Sequence, residues 1–447
     1  MVRVVVTGGA GFVGSRLARE LLASGTLSVA GGPPGELSRV TIVDRVPPPG
    51  DLAADDRVSA IQTEITEVTR ETLDGADAVF HLAAAVSGEC EADFDLGLRA
   101  NLRGTEAVLA ACRTLGTAPV VVFTSSYAVF GGSAIHPLPP VIDDQTPPNP
   151  QTSYGTQKAM LELLLADYTR KGYLRGRAMR LATISVRAGR PNTAASSFLS
   201  GIIREPLAGI RAVCPVPHGT EAALASPAKA VAALIRAATA TGEEWGDNTA
   251  VTMPSLTTTV DEMAAALERV AGPEVSALID WAEDPVIAKI VLGWPTRVKA
   301  DRAARLGLAP DRDVEEIIRR YIADSRTQLS RTEPWCQKKV HASASRAQVT
   351  GIWPRSCVTS SVSGATGATW SGTCTTPCSS WSLATRRTSR AIWTTTGSPG
   401  TCSASSRQPA TATSTSSRCG MTPGRSAWPG RCTKLSRRRR GNAARWR

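Results

Sequence analysis

The opening run VRVVVTGGAGFVGSRLARELL constrains the fold more than any other stretch of this chain. Val2–Val6 reads as a buried strand, and from Val13 onward the apolar residues fall at helical spacing. Between them Gly8, Gly11 and Gly14 stand in a GxxGxxG arrangement. A strand that turns directly into a helix leaves the first helical N–H groups, here around Phe12 and Val13, without backbone partners and open to a phosphate. Each glycine then has its own task. Gly8 permits the tight turn, Gly11 lets a pyrophosphate approach the backbone, and Gly14 allows the helix to pack close to the strand. A turn with several glycines is common by itself. Its place between the first strand and the first helix makes a dinucleotide loop the expectation.

The same grammar is repeated through residue 190. Strand-like runs at Arg3–Thr7, Val40–Val43, Ala78–Leu82, Val120–Thr124 and Arg177–Ser185 alternate with amphipathic stretches such as Val13–Ala23 and Asn101–Leu115. This predicts an α/β fold with a doubly wound, mostly parallel sheet of the Rossmann kind over residues 1–190. The strands are apolar almost throughout, as a sheet covered on both faces requires. Residues 191–330 are less regular. Pro191, Pro206, Pro215 and Pro217 interrupt them, and helical patterns follow at Pro227–Thr239, Thr259–Ala271 and Val314–Ala323. They predict a smaller, mostly helical lobe that closes over the carboxyl ends of the strands, where ligands of such sheets bind.

The formal charge of +12 would suggest an anionic partner, but it is unevenly placed. Residues 331–447 hold 19 Lys and Arg against one acid, Glu333, whereas the first 330 residues hold 32 basic and 38 acidic residues. The same tail has seven Trp, seven of the ten Cys, and no Asp, Phe or Tyr. That bias is what a GC-rich coding region yields when read out of frame, so 331–447 is expected to be a disordered extension without an evolved fold. Cys374 and Cys378 with Cys357 and His341 lack paired CxxC spacing, and no metal site is expected. The run Arg437–Arg440 reads as solvated charge. Neither nucleic acid nor membrane is an expected partner. With three scattered cysteines in the body and no leader ahead of the first strand, the body reads as cytoplasmic.

The second strand ends VTIVDR, which puts Asp44 where an acid hydrogen-bonds the ribose 2′-hydroxyl of NAD and repels the 2′-phosphate of NADP. Arg45 beside it can accept such a phosphate; the acid decides the expectation for NAD. Tyr154 and Lys158 follow the helix-entry residues Thr152 and Ser153, and residues four apart share a helical face. Removing hydride from a secondary alcohol needs a base for the hydroxyl proton, and an ammonium nearby favours the phenolate of a Tyr. A lone YxxxK also occurs on exposed helices by chance. Here the strand VVVFTSS ends shortly before it in Ser125 and Ser126, whose hydroxyls can meet a substrate oxygen beside the Tyr. Asn101, opening another helical pattern, can hold a water that relays protons through Lys158.

TGGAGFVG, HLAAAVSG, TSSYAVFG and YGTQK occur in the order typical of the extended short-chain dehydrogenase/reductases, which residues 1–325 resemble. The resemblance implies Ser126, Tyr154 and Lys158 as the catalytic set. It implies a cofactor wall at His81–Ala85, with Leu82, Ala83 and Ala84 along NAD and Ser87 toward the substrate. It also places Glu64 and Ile65 at the adenine, where the family more often has an Asp. Ser125 and Ser126 lack the acid pair of the dehydratases. The stretch RLATISVRAGRPNTAASSFLSGIIREPL, with CPV at 214–216 and MPSLTTTVDEM, is similar to the D-erythronate dehydrogenases, which usually carry Pro where Ala182 stands. That similarity implies oxidation of the 2-hydroxyl of a four-carbon sugar acid by NAD. Arg187 has the planar fork for a carboxylate, or for a structural salt bridge. Asn192, Ser196 and Ser197 can reach hydroxyls. A nucleotide-sugar 4-epimerase, a uronate dehydrogenase and a non-catalytic NAD-binding scaffold are the rival readings, and a homodimer is the expected assembly.

Overall fold

A computed structural model describes residues 1–189 and 194–332, with 326–332 described by their backbone alone. Asn192 and almost all of the predicted tail extension lie outside the described residues.

Seven strands are needed to follow the main sheet: β1 (Val2–Thr7), β2 (Gly35–Asp44), β3 (Val58–Gln62), β4 (Ala78–His81), β5 (Val120–Ser126), β6 (Arg175–Leu181) and β7 (Val251–Thr252). They run in the order β7-β6-β5-β4-β1-β2, with β3 also pairing on β2, and every one of these pairs is parallel. The short strand Thr26–Leu27 adds antiparallel to the start of β2.

Two helical layers cover it, and the side-chain alternation of the strands decides which residues meet which layer. On one face Val4, Val6, Phe80, Val120, Val122 and Met179 pack with Leu17 and Leu21 of α1 (Phe12–Ser24). On the other, Val5, Val79, Val121, Phe123 and Ala178 meet Val108 and Leu109 of α2 (Gly104–Leu115) and Leu161 and Leu165 of α3 (Ser153–Arg170). Because neither face is wet, β1, β4 and β5 carry consecutive apolar residues through their middles, Val4–Val6, Ala78–Phe80 and Val120–Phe123.

A second core lies beyond the carboxyl ends of the sheet. Leu199, Ile202 and Ile203 of α4 (Ser197–Leu207) pack with Met263 and Leu267 of a helix at Val260–Ala271 and with Ile317 and Ile318 of the helix Val314–Thr332. A three-stranded sheet of Thr183–Ile184, Glu221–Ala225 and Leu256–Thr259 belongs to this region.

Two details differ from the sequence pattern. The run Arg177–Ser185 is not one strand: it leaves the main sheet at Leu181, and Thr183–Ile184 joins the second sheet, so the chain changes sheets at Ala182. The helix predicted from Asn101 begins as a wide π turn at Leu98–Arg103 and becomes α-helical at Gly104. A Cβ on Gly104 would lie 2.5 Å from Ile65, so its backbone packs directly on that side chain. The chain after residue 190 also returns to the main sheet. There the helix Pro227–Thr239 supplies Leu234 and Ala237 to the α1 face, and β7 extends the edge.

Candidate active site

The glycine loop is held by backbone contacts. Gly8 adopts φ +69°, and a Cβ there would approach Ala83 N to 2.7 Å. At Gly14 a Cβ would come within 2.2 Å of Gly8 O, so close packing of α1 on the turn requires glycine. Gly11 is less confined, its nearest neighbour being Gly8 O at 3.1 Å. No side chain caps α1, and its first turn carries no acid, which leaves the N–H groups of its opening residues to an anion. Asp44 closes β2 beside this loop, where Oδ2 accepts from Ala10 N at 3.0 Å.

From this loop a cavity of about 1400 Å³ runs across the ends of the strands. Gly8, Gly11, Phe12, Val13, Gly14, Asp44, Glu64, Ile65, Leu82, Ala83 and Ala84 line its first part. Ser87, Ser126, Tyr154, Lys158, Arg187, Ser196 and Ser197 line its other end. A dinucleotide fits the first part by its chemistry: free N–H groups for phosphates, a carboxylate for ribose hydroxyls, and a turn where side chains would fill the space.

Tyr154 sits in the first turn of α3, which Thr152 caps by accepting from Gly155 N at 3.1 Å. One turn on, Lys158 is almost wholly buried and donates to Thr124 O at 2.7 Å. Its Nζ lies 5.5 Å from the centre of the Tyr154 ring and 4.6 Å from that of Phe123. Burial pushes the Tyr154 phenol up to about 12; Cys90 adds to this, while Arg187 and a hydrogen bond with Ser126 act against it. Burial likewise pushes Lys158 down to about 8, opposed by Cys90 and Glu162. The sequence reading assigns the support of the phenolate to Lys158. In the structure Lys158 stands beside that ring, and Arg187 joins it as a second cation that acts to lower the phenol's pKa.

The two serines part company. Ser126 Oγ accepts from Ala128 N at 3.1 Å and faces Tyr154. Ser125 also lines the cavity, but its hydroxyl donates to Glu162 at 2.5 Å. Arg187 stacks over the Phe12 ring at 5.8 Å, and among the described residues no carboxylate pairs with it. Burial lowers its pKa, with Tyr154 acting to raise it.

Asn101 stands elsewhere. It is 1% exposed, does not line the cavity, and its carboxamide bridges Ala85 N at 2.8 Å and Gln157 Oε1 at 2.7 Å. With both ends engaged it ties the cofactor wall to α3. His81 lies beneath the cavity wall, between Thr7 Oγ1 at 2.7 Å and Thr105 Oγ1 at 2.8 Å. The cavity wall therefore begins at Leu82.

Several lining residues carry no motif. Glu89, Glu91 and Arg99 face the cavity from one side. Glu221, Ile287, Ile290 and Trp294 come from the second region, with Glu221 held by Thr296 at 2.9 Å and by Arg297. Only the packing of distant segments brings them there, so local spacing gives no signal for them.

The fold and this cavity place the chain among NAD-using enzymes built on a Rossmann sheet. It belongs to the NAD dependent epimerase/dehydratase family, which matches residues 4–222. It is 49% identical over 327 residues to D-erythronate dehydrogenase of Cupriavidus necator, covering 72% of this chain and 99% of that protein. To the D-erythronate dehydrogenase of Haemophilus influenzae it is 39% identical over 324 residues, again with 72% and 99% covered. Among solved structures it resembles the nucleoside-diphosphate-sugar epimerase from Agrobacterium tumefaciens, with TM-score 0.67 and 41% identity over 72% of this chain and 94% of that one. NAD is the cofactor, and the chain is an NAD-dependent dehydrogenase. None of the helices among the described residues is long and apolar enough to cross a membrane.

Proposed function

We propose that the protein oxidises the 2-hydroxyl of a four-carbon sugar acid, D-erythronate to 2-oxo-erythronate. The observation that carries this reading is Arg187, a guanidinium facing Tyr154 with no acid beside it among the described residues. A 2-hydroxy acid has its carboxylate one bond from the carbinol carbon, so the cation that binds it must stand beside the base. The names of the two relatives support the same substrate.

In this mechanism the C2 hydroxyl lies between Ser126 and Tyr154. Ser126 donates to the substrate oxygen, and Tyr154 takes the hydroxyl proton as a general base. Bound NAD supplies the hydride acceptor. Lys158 and Arg187 hold positive charge near the phenol, which favours the phenolate that then takes the proton. Arg187 grips the carboxylate through two parallel N–H bonds, and Ser87, Asn192 and Ser196 meet the remaining hydroxyls.

Residues 1–190 hold the cofactor in this reading, 191–330 complete the substrate end, and 331–447 take no part. The match of 327 residues takes in 99% of the Cupriavidus necator enzyme, which supports that division. The unpaired Cys90, Cys112 and Cys214 agree with a reducing cytoplasm. Met160 and Leu163, 48% and 74% exposed on the outer side of α3, agree with a homodimer.

A nucleotide-sugar epimerase is the second reading, favoured by the description of the Agrobacterium tumefaciens structure. Absorbance of NADH is followed for the full chain with tetronates, uronates, aldoses and a UDP-sugar. Steady NADH release with D-erythronate is the expected result. Isomerised UDP-sugar without free NADH would overturn the dehydrogenase reading.

A further inference from the structure

Tyr154, Lys158 and Glu162 stand at successive i, i+4 positions of α3, so one face of the helix carries a phenol, an ammonium and a carboxylate in a row. The first two line the cavity; Glu162 does not. It is 7% exposed and is gripped by both neighbouring strands. Arg180 of β6 donates to its two oxygens, Nε at 2.9 Å and Nη2 at 2.7 Å, while Ser125 of β5 donates to Oε1 at 2.5 Å. Apolar residues would fill such a place at no loss of stability, since desolvating a buried pair offsets much of its attraction. A buried ion pair directly beneath the reacting groups therefore calls for another account.

We propose that Glu162 is a positioning residue for the catalytic pair: it pins Ser125 under the strand end so that Ser126 faces Tyr154, and it holds a negative charge one turn below Lys158. This deepens the reading of Tyr154 and Lys158 given above and rests on it.

The geometry is a ladder between α3 and the end of β5. Thr124 O accepts a hydrogen bond from Lys158 Nζ, Ser125 Oγ is fixed on Glu162, and Ser126 turns to Tyr154. Side chains along a strand alternate between faces, so holding Ser125 against α3 fixes the direction in which its neighbour Ser126 enters the cavity. Among the charged and titratable groups described around Lys158, Cys90 and Glu162 act to hold its proton, and Glu162 is the carboxylate of the two. On its own helix stand Tyr154 and Glu162. From the short helix Ser87–Ala92 comes Cys90, whose thiol is held neutral by burial. From β4 comes His81, which burial keeps neutral with a pKa of about 3. Arg180 lies on β6, and Arg187 beyond the strand Thr183–Ile184. Glu162 is thus the carboxylate, among the described residues, that offsets the desolvation of Lys158.

The test compares three variants of the full chain with the wild type, using kcat against pH with D-erythronate and melting by circular dichroism. Glu162→Gln keeps the shape and an acceptor for Ser125 but removes the charge. Its kcat is expected to fall roughly tenfold, and its alkaline limb to move down by about one pH unit, because Lys158 gives up its proton earlier. That variant also strands Arg180, so Glu162→Gln with Arg180→Met is made as well, removing the uncompensated cation. Its melting temperature is expected to return toward wild type while the alkaline limb stays displaced. Ser125→Ala is expected to lose several-fold in kcat with the limbs unmoved. Recovery of both kcat and the pH limbs along with the melting temperature in the double variant would reduce Glu162 to a structural role. Wild-type kcat in Ser125→Ala would remove the clamp. Tyr154→Phe is run alongside: full turnover there would sink the catalytic reading itself and not this inference.

Discussion

The two ends of the cavity are built from different material. At the phosphate end the shape is made by backbone: Gly8 at φ +69°, Gly14 against Gly8 O, and the uncapped start of α1. At the reacting end it is made by side chains from separate segments, with Ser126 on a strand end, Tyr154 on a helix, Arg187 on a loop, and Trp294 far along the chain. A backbone site needs side chains to be missing at fixed spacings, and a local pattern records that. A side-chain site needs only that the fold bring the right groups together, and most of its members leave no local trace.

The strongest way to sharpen this contrast is at the side-chain end. Tyr154→Phe keeps the ring and its packing but removes the proton acceptor, so kcat should fall by about 10³-fold while the Kd for NAD stays nearly constant. Stopped-flow turnover together with NAD titration reads both quantities. Turnover near wild type would take Tyr154 out of the chemistry.

The complementary change at the backbone end is Gly14→Ala. Its Cβ would stand 2.2 Å from Gly8 O, and neither backbone atom can yield cheaply. Overpacking of this kind costs roughly 1–3 kcal/mol, so NAD binding should weaken by about one to two orders of magnitude. Gly11→Ala, where the nearest atom lies at 3.1 Å, should perturb the unliganded fold much less. Equal melting temperatures for the two variants would contradict the packing argument.

The same contrast explains what was legible in the sequence. The sheet was readable because burial on both faces writes consecutive Val, Ala and Phe into the middle of β1, β4 and β5, as at Val4–Val6, Ala78–Phe80 and Val120–Phe123. The glycine loop, Asp44, Ser126 and Tyr154 stand at the ends of regular elements and Lys158 one turn into α3, so spacing alone predicts that they share one cavity, which they line. The choice between Ser125 and Ser126 was carried by resemblance; in the structure Ser125 is engaged with Glu162. Asn101 shows the opposite case. Its position at the head of a helical pattern was right, but the wide turn Leu98–Arg103 aims its carboxamide at Ala85 and Gln157. Glu221, Ile287 and Trp294 reach the cavity only through the second core, so no spacing rule finds them.

Arg187 lets the side-chain end be divided further. A carboxylate held by a guanidinium contributes about 1.5 kcal/mol or more, so Arg187→Met should raise KM for the sugar acid by roughly tenfold or more. The Kd for NAD should move little, since the glycine loop and Asp44 carry that contact. Arg187→Lys, which keeps the charge but loses the fork, should recover only part of the loss. An unchanged KM in Arg187→Met would move carboxylate binding to another residue.

The smallest expected effect lies between the two ends, at His81. Its ring joins Thr7, which leads into the glycine loop, to Thr105 on α2, and burial holds its pKa at about 3 against an ordinary 6.5. The folded state therefore binds fewer protons than the unfolded chain between those values. The stability that neutral His81 permits is complete above pH 6.5 and is lost progressively as pH falls toward 3. At pH 6 the loss amounts to about 0.8 kcal/mol, and it grows as acid is added. His81→Gln can still bridge the two threonines but cannot take up a proton there, so its melting temperature should fall less than that of the wild type between pH 7 and pH 5. Because His81 supports the strand that leads to Leu82, acid should loosen the cofactor wall before it reaches the side-chain end, and Kd for NAD should rise across that window in the wild type but not in His81→Gln.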